Sequence, residues 1–168
     1  MNILVISASM RKESQSLKVS KWLSAHAEKL GVESSVLDLH ETKLPLFDLG
    51  ETPAENAKAV FAALDKADAY VFVSPEWNGM MSHGLVNMLQ YVGTEMANKP
   101  VMLTSVTAGR GGAYPLAQMR LMGYKNNHYV ISPENLLVQD VNSMMNDDDM
   151  NEDVADSSVK KRADYALK

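Results

Sequence analysis

Short apolar runs alternate along this chain with longer stretches in which hydrophobic residues recur every three or four positions. A continuous apolar run is typical of a parallel strand buried on both faces, and the three-to-four spacing is typical of a helix that packs along one side. The pattern predicts strands over residues 2–8, 32–39, 69–73, 101–106 and 128–131 with 136–138. Between them it predicts helices over residues 14–30, 82–97, 115–122 and 152–166, and another that begins at Thr52.

Residues at the expected helix ends support these boundaries. Thr52 suits an N-cap, Pro53 suits the first helical position, and Glu55 completes a capping box. Gly31 is expected to end the first helix, and Pro100 follows the third. The apolar faces of the first three helices predict part of the core: Val19, Trp22, Leu23, Ala27, Leu30, Val60, Ala63, Leu64, Ala67, Leu85, Met88, Leu89, Val92 and Met96.

Five strands that alternate with helices require right-handed crossovers, so the order of elements predicts a doubly wound five-stranded parallel sheet. With helices on both faces of the sheet, this is a three-layer α/β/α fold. No repeat or low-complexity linker divides the sequence, which predicts one domain over residues 1–168. Ligands bind such sheets outside the carboxyl ends of the strands, where the strand order reverses. The loops after the first, third and fourth strands are therefore the candidate site.

The composition narrows the classes of function. Cysteine is absent, so a redox role would depend on a bound cofactor rather than on thiols. No apolar run approaches the roughly 20 residues that span a bilayer, and the first one is too short for a signal peptide. We therefore expect a cytoplasmic protein with no membrane span. No stripe of lysine and arginine is present, so nucleic acid is not an expected partner.

The net charge of −5 is concentrated in one segment, because six acidic residues lie between Asp147 and Asp156. We expect a solvated loop and the start of a helix there. The spacing of Asp147, Asp149 and Asn151 is similar to that of a calcium loop, but the turn glycine and the terminal glutamate are missing. The four histidines have no metal-ligand spacing, so no metal site is expected; His26 is interpreted as structural.

The first loop, residues 7–16, follows a buried strand and opens a helix. This arrangement binds anions through free N–H groups and the helix dipole. Ser9, Ser14 and Ser16 add hydroxyl donors, and Arg11 would neutralise a dianion. Neither the P-loop pattern nor G-x-G-x-x-G is present, which favours a monophosphate over a pyrophosphate. The alternative is that the serines only cap the helix and that Arg11 is solvated.

The second and third loops suit a flat ligand. In residues 74–82, Asn78 and Gly79 favour a tight turn with positive φ, and Trp77 offers an aromatic face. The alternative is that Trp77 and the methionine pair at 80–81 pack into the core or a subunit interface. In residues 107–113, three glycines allow close backbone approach, or simply a flexible turn. Side by side, the three loops outline a site for flavin mononucleotide.

The sequence S-M-R-K-E-S at residues 9–14 is similar to the S-L-R-x-x-S phosphate loop of the NADPH-dependent FMN reductases. These form a flavodoxin-like family that includes quinone, chromate and azo-dye reductases. P-E-W-N-G at residues 75–79 resembles the family's P-E-Y-N-G flavin loop, and Asn87 matches in the following helix. The segment 107–112 is similar to S-x-G-x-x-G-G. The resemblance covers about residues 1–140.

The resemblance implies FMN as cofactor, NADPH or NADH as hydride donor, and a small acceptor such as FMN, a quinone or an azo compound. It also implies a homodimer or homotetramer. No catalytic acid, base or nucleophile is expected, because the flavin carries the chemistry. The alternative is a non-catalytic electron carrier of the flavodoxin type. A phosphorylatable receiver domain is disfavoured because serines occupy the positions where it needs acidic residues.

The family's roles carry over to the matching positions. Residues of the first loop would hold the FMN phosphate, residues 75–79 would border the isoalloxazine, and residues 107–111 would reach its pyrimidine edge. The chain departs from the family pattern at Ala8, Trp77, Val86 and the turn at 80–83. These departures bear on flavin affinity and acceptor preference. The predicted cofactor-binding residues are Ser9, Arg11, Ser14, Gln15, Ser16, Pro75, Glu76, Trp77, Asn78, Gly79, Thr107, Gly109, Arg110 and Gly111.

Overall fold

A sheet of five parallel strands forms the centre of the computed structural model, which describes residues 1–48, 55–146 and 154–168. The strands are β1 (Asn2–Ser7), β2 (Glu33–Asp38), β3 (Ala69–Pro75), β4 (Pro100–Val106) and β5 (Val130–Val138). The helices are α1 (Gln15–Lys29), α2 (Leu39–Thr42), α3 (Glu55–Lys66), α4 (His83–Tyr91), α5 (Ala113–Leu121), α6 (Tyr124–Asn127) and α7 (Val154–Leu167). A 3-10 turn covers Val141–Ser143.

The strand order is β2-β1-β3-β4-β5, and all neighbouring pairs are parallel. This is the doubly wound order of the flavodoxin-like fold, and it confirms the predicted fold class. The order reverses at β1, which pairs with β2 on one side and β3 on the other. A crevice is therefore expected where the chain leaves β1 and β3 in opposite directions.

Two hydrophobic cores lie on opposite faces of the sheet, because successive strand residues point to opposite sides. Ile3 and Val5 of β1 pack with α1 and α7, whereas Leu4 and Ile6 pack with α3, α4 and α5. The predicted helix faces supply these cores; Ala63 and Leu30 are only partly buried. The three-layer arrangement is thus confirmed. The prediction of a single domain over residues 1–168 stays a prediction.

The third predicted helix ends earlier than expected, at Tyr91 instead of residue 97. Val92 adopts an extended backbone, and its carbonyl accepts a hydrogen bond from Asn127 Nδ2 at 2.6 Å. Gly93 N–H bonds to the Glu95 carboxylate at 2.8 Å. The Asn127 and Glu95 side chains thus pair with backbone groups that a further helical turn would have paired. Val92 and Met96 are buried as predicted, although neither belongs to a helix.

The remaining differences are at element ends. The two predicted pieces of the fifth strand form one strand, with an irregular register opposite Val101 and Leu103. The short helices α2 and α6 were not predicted. Thr52 and Pro53, and the calcium-like spacing at 147–151, lie outside the described residues. None of the described helices is long and apolar enough to cross a membrane.

Candidate functional site

A cavity of about 430 Å³ opens at the carboxyl ends of β1, β3 and β4. Most of the predicted site residues line it: Ser9, Arg11, Ser14, Gln15, Ser16, Pro75, Glu76, Trp77, Thr107 and Gly109. Asn78, Gly79, Arg110 and Gly111 do not line it. The walls also include residues that the sequence analysis did not select: Glu13, Val106, Ala108, Val141 and Asn142.

The first loop forms a compact turn at the start of α1. Ser14 is the N-cap, and its hydroxyl oxygen accepts a hydrogen bond from Leu17 N at 3.1 Å. Ser9 Oγ accepts from Arg11 N at 3.2 Å. The amides of Gln15 and Ser16 begin the helix and have no carbonyl one turn earlier to accept from them. Capping and anion binding are therefore compatible, since the serine hydroxyls keep their own protons to donate.

Arg11 connects the first loop to the second. Its guanidinium carbon lies 5.6 Å from the centre of the Trp77 ring, within the range of a cation–π interaction. Trp77 is 54% exposed, so it does not pack into the core. The alternative, in which Arg11 is simply solvated, accounts for its exposure but not for its contact with the Trp77 ring.

The second loop contains the tight turn that its sequence predicts. Trp77 N donates to Met80 O at 3.1 Å, and Met80 N donates to Trp77 O at 2.9 Å. Asn78 and Gly79 between them have φ of 51° and 74°, as a type I′ turn requires. The two methionines separate: Met81 is buried in the core, whereas Met80 is 52% exposed.

Hydrogen bonds fasten the second loop to its neighbours. Ser82 Oγ donates to the carbonyl of Ala8, just beyond β1, at 2.5 Å. Ser82 N donates to Ser74 Oγ at 2.9 Å, at the end of β3. Met81 N donates to Gln118 Oε1 of α5 at 2.7 Å. The loop is therefore held from three directions, all through buried or half-buried groups.

The third loop is held by the chain that follows β5. Val141 N donates to Thr107 O at 3.1 Å, and Asp140 N donates to Gly109 O at 3.0 Å. Gln139 Nε2 donates to the carbonyls of Arg110 and Gly111. Within this loop, Thr107 and Gly109 line the cavity, whereas Arg110 and Gly111 do not.

Arg110 and Gly111, in the middle of this loop, contact neighbouring carboxylates instead of lining the cavity. The Arg110 side chain is almost fully exposed and lies 3.9 Å from the Asp140 carboxylate. A Cβ at Gly111 would meet the carboxylate of Glu76, the flexible end of a cavity-lining side chain. The second and third loops therefore lie next to each other at this point.

Lys18 of α1 holds the part of the cavity wall formed by Val141 and Asn142, which the sequence analysis did not select. Its ammonium donates to Val141 O at 2.6 Å, Met144 O at 2.8 Å and Asn146 Oδ1 at 2.7 Å. Burial lowers the pKa of Lys18, and the Asp156 carboxylate opposes that lowering. These partners are more than 120 residues away in sequence, so no local motif could have indicated them.

Asp156 extends this network to α7. Its carboxylate accepts a hydrogen bond from Met145 N at 2.7 Å and lies 2.7 Å from the fully buried ammonium of Lys160. The wall formed by Val141 and Asn142 is consequently held by charged groups from both α1 and α7. Removing the partner of such a buried, paired lysine would destabilise the fold, because its charge would be left buried and uncompensated.

A second cavity, of about 500 Å³, adjoins the first. Arg11 and Trp77 line both cavities and so form part of the boundary between them. The residues particular to the second cavity are largely apolar: Met10, Met80, Met81, Ser82, His83, Val86 and Gln118. Its position next to the first cavity would allow a second molecule to lie near a ligand held there.

Two other residues singled out in the sequence serve the fold. Asn87 binds the backbone of the loop after α2, with Oδ1 accepting from Phe47 N and Nδ2 donating to Pro45 O, each at 2.8 Å. His26 stacks on Trp22 and lies 3.1 Å from Asp164 Oδ1 of α7. Both therefore join one element to another, away from the cavities.

Comparison with known proteins gives a family. Residues 1–142 match the family model of NADPH-dependent FMN reductase. The chain is 31% identical over 123 residues to an NADPH azoreductase of Bacillus sp. (strain OY1-2), covering 71% of this chain and 66% of that protein. It is 30% identical over 122 residues to a quinone reductase of Pseudomonas putida, covering 67% and 63%. The chain thus spans just under two thirds of the length of these relatives.

Solved structures share the fold at low sequence identity. A NADH:FMN oxidoreductase in its apo form superimposes with a TM-score of 0.76 at 13% identity, covering 99% of this chain and 88% of the other. The flavoenzyme NAD(P)H:(acceptor) oxidoreductase of Paracoccus denitrificans gives a TM-score of 0.70 at 21% identity, covering 99% and 91%.

The Lys18 network yields a prediction about stability. Lys18→Met keeps an unbranched side chain but removes the donor from three oxygens, two of them backbone carbonyls. We expect the free energy of unfolding to fall by about 1.5–3 kcal/mol, the usual value of charged hydrogen bonds. Urea titration measures this change, and hydrogen exchange should accelerate at residues 141–146. Lys21→Met, on the exposed side of the same helix, is the control; equal stability of the two variants would contradict the prediction.

Proposed function

The chain belongs to the NADPH-dependent FMN reductase family, and from this premise we propose that it transfers hydride from NADPH or NADH, through FMN, to a small acceptor. The acceptor is free flavin, a quinone or an azo compound, in keeping with relatives named azoreductase and quinone reductase. One observation carries the proposal. An anion-binding turn at the start of α1 and two loops suited to a flat ring line the same cavity.

The residues at the α1 end of the cavity fit a phosphate group. The first-turn amides of Gln15 and Ser16, the hydroxyls of Ser9 and Ser14, and the guanidinium of Arg11 are all donors. We assign these five residues and the Ser16 hydroxyl to the phosphate. The cavity volume of about 430 Å³ is within the ordinary range for cofactor sites.

The opposite end of the cavity fits the ring of the flavin. Pro75, Glu76 and Trp77 border it from the second loop, with Asn78 and Gly79 shaping the turn behind them. Thr107 and Gly109 line the side of the cavity assigned to the pyrimidine edge, and Arg110 and Gly111 complete that loop. The hydrogen bonds from Ser82 and Gln139 support this assignment, because they hold both loops in place before a ligand binds.

When bound, FMN supplies the chemistry of hydride transfer, so no acid, base or nucleophile of the chain has to react. The chain's own contribution is to bind and orient. Trp77 and Arg11 lie between the two cavities, and Met10, Met80 and Val86 give the second cavity an apolar wall. The nicotinamide donor and the acceptor would occupy that cavity in turn. A cytoplasmic location follows from the same proposal, because the reduced nicotinamide pool lies there.

We also propose that the chain forms a homodimer or homotetramer. Several large apolar side chains are exposed around the second loop, α5 and α6: Trp77, Met80, Tyr114, Leu121, Met122 and Tyr124. Aromatic residues and methionine are enriched where subunits meet. Nucleic acid is not a proposed partner, because the sequence contains no stripe of lysine and arginine.

Turnover distinguishes a reductase from an electron carrier. Purified protein supplied with FMN and NADPH or NADH should oxidise the nicotinamide continuously when a quinone or azo dye is present, as followed by absorbance of the reduced nicotinamide. A flavodoxin-type carrier binds flavin and gives a flavin visible spectrum, but shows no sustained oxidation. A protein that binds no flavin at all would contradict both functions.

Arg11 is the cation of the proposed phosphate site, and its replacement should weaken FMN binding. Arg11→Ala removes a charge-assisted contact worth about 1.5–3 kcal/mol, which corresponds to a rise in Kd of about tenfold or more. Fluorescence titration with FMN measures the Kd. Lys12→Ala is the matched control, because Lys12 is the neighbouring cation and does not line the cavity. The assignment fails if both variants bind FMN as tightly as the unaltered protein.

The proposed subunit interface predicts a difference between two exposed positions. Leu121→Glu places a charge among the exposed apolar residues of α5 and should shift the protein toward monomer in light scattering after gel filtration. Tyr165→Glu, on α7 and the other face of the sheet, should leave the mass unchanged. A monomeric unaltered protein, or equal behaviour of the two variants, would rule out this interface.

A further inference from the structure

The charges around the proposed flavin cavity are unusual for a site that holds a phosphate dianion. Among the described residues that line it, Arg11 is cationic, whereas Glu13 and Glu76 are anionic. The Arg11 guanidinium also lies against the Trp77 ring. The wall thus has no excess positive charge, and the attraction for phosphate rests mainly on amide and hydroxyl donors.

Glu13 is closer in sequence to the proposed phosphate site than Glu76 is. It directly precedes Ser14, the N-cap of α1, and lies between residues assigned to the phosphate. Its φ is 50°, in the left-handed region that favours glycine. The described part of the chain provides no hydrogen bond or ion pair to its exposed carboxylate. Neither local backbone preference nor a structural contact therefore accounts for glutamate here.

We infer that Glu13 sets the selectivity of this cavity toward the charge of the flavin. Its carboxylate opposes binding of the FMN phosphate and does not oppose the uncharged ribityl end of riboflavin. The cavity should therefore prefer FMN over riboflavin less strongly than its phosphate donors alone would dictate, and release FMN more readily. The inference rests on the proposed function, because it concerns the same cavity.

The effect of salt follows from the same charges. In the unaltered protein, the attraction of Arg11 and the repulsion of Glu13 are screened together, so FMN affinity should change little with ionic strength. Without the Glu13 charge, no carboxylate at the phosphate end of the cavity offsets the attraction of Arg11, since Glu76 lies in the second loop, at the proposed ring end. Salt should then weaken FMN binding, while riboflavin binding stays insensitive to salt in both proteins.

A titration with two flavins tests the inference. The Kd for FMN and for riboflavin is measured by quenching of flavin fluorescence at low and moderate salt, for the unaltered protein, Glu13→Gln and Glu28→Gln. We expect Glu13→Gln to tighten FMN binding about tenfold at low salt and to leave riboflavin binding unchanged, because only FMN carries the phosphate. Glu28 is exposed near the other end of α1 and provides the same charge change away from the cavity.

A further variant separates charge from backbone strain. Glu13→Gly removes both the carboxylate and the cost of the left-handed conformation, so it should match Glu13→Gln in selectivity for FMN over riboflavin. If Glu13→Gly tightens both flavins equally and Glu13→Gln tightens neither, the residue acts through strain and the inference is wrong. Binding of both flavins with an unchanged ratio in Glu13→Gln also overturns it. Failure of every variant to bind either flavin would contradict the proposed function as well.

Discussion

The candidate site depends on hydrogen bonds between backbone segments that leave neighbouring strands at the same edge of the sheet. Ser82 binds the carbonyl of Ala8 after β1 and the Ser74 hydroxyl at the end of β3, and Thr107 after β4 is bound by Val141 after β5. Buried polar groups need partners, and here the loops satisfy one another. The bond from Ser82 to Ala8 joins the second loop to the first, so this contact and the pairing of β1 with β3 together fix the spacing of the two loops.

The last part of the chain contributes to a wall that the family match barely reaches. The match ends at residue 142, whereas Lys18 also binds Met144 and Asn146, and Asp156 binds Met145. α7 packs on the same face of the sheet as α1 and places Asp156 and Lys160 beside this segment. The C-terminal helix of this chain therefore helps to hold a part of the cavity wall that lies at the very end of the family match.

The sequence predicted best what local chemistry decides. The alternation of apolar runs with helical spacing was enough to predict five strands in a doubly wound parallel sheet, and Asn78-Gly79 was enough to predict a tight turn with positive φ. Features decided by distant residues were missed. The end of α4 depends on Asn127, which lies 35 residues beyond Val92, and the Val141–Asn142 wall depends on Lys18. That the predicted residues bind FMN stays a prediction, although most of them line one cavity.

Charge along a motif differs from charge around a cavity, and the first loop shows why. The positions between Arg11 and Ser14 hold Lys12 and Glu13, so the loop as written in the sequence has a positive sum. In the structure, Arg11 and Glu13 line the cavity and Lys12 does not. The turn geometry, including φ of 50° at Glu13, decides which side chains a ligand would meet. A phosphate motif can therefore keep its capping serines and amide donors while its electrostatic preference for phosphate is reduced by a single residue.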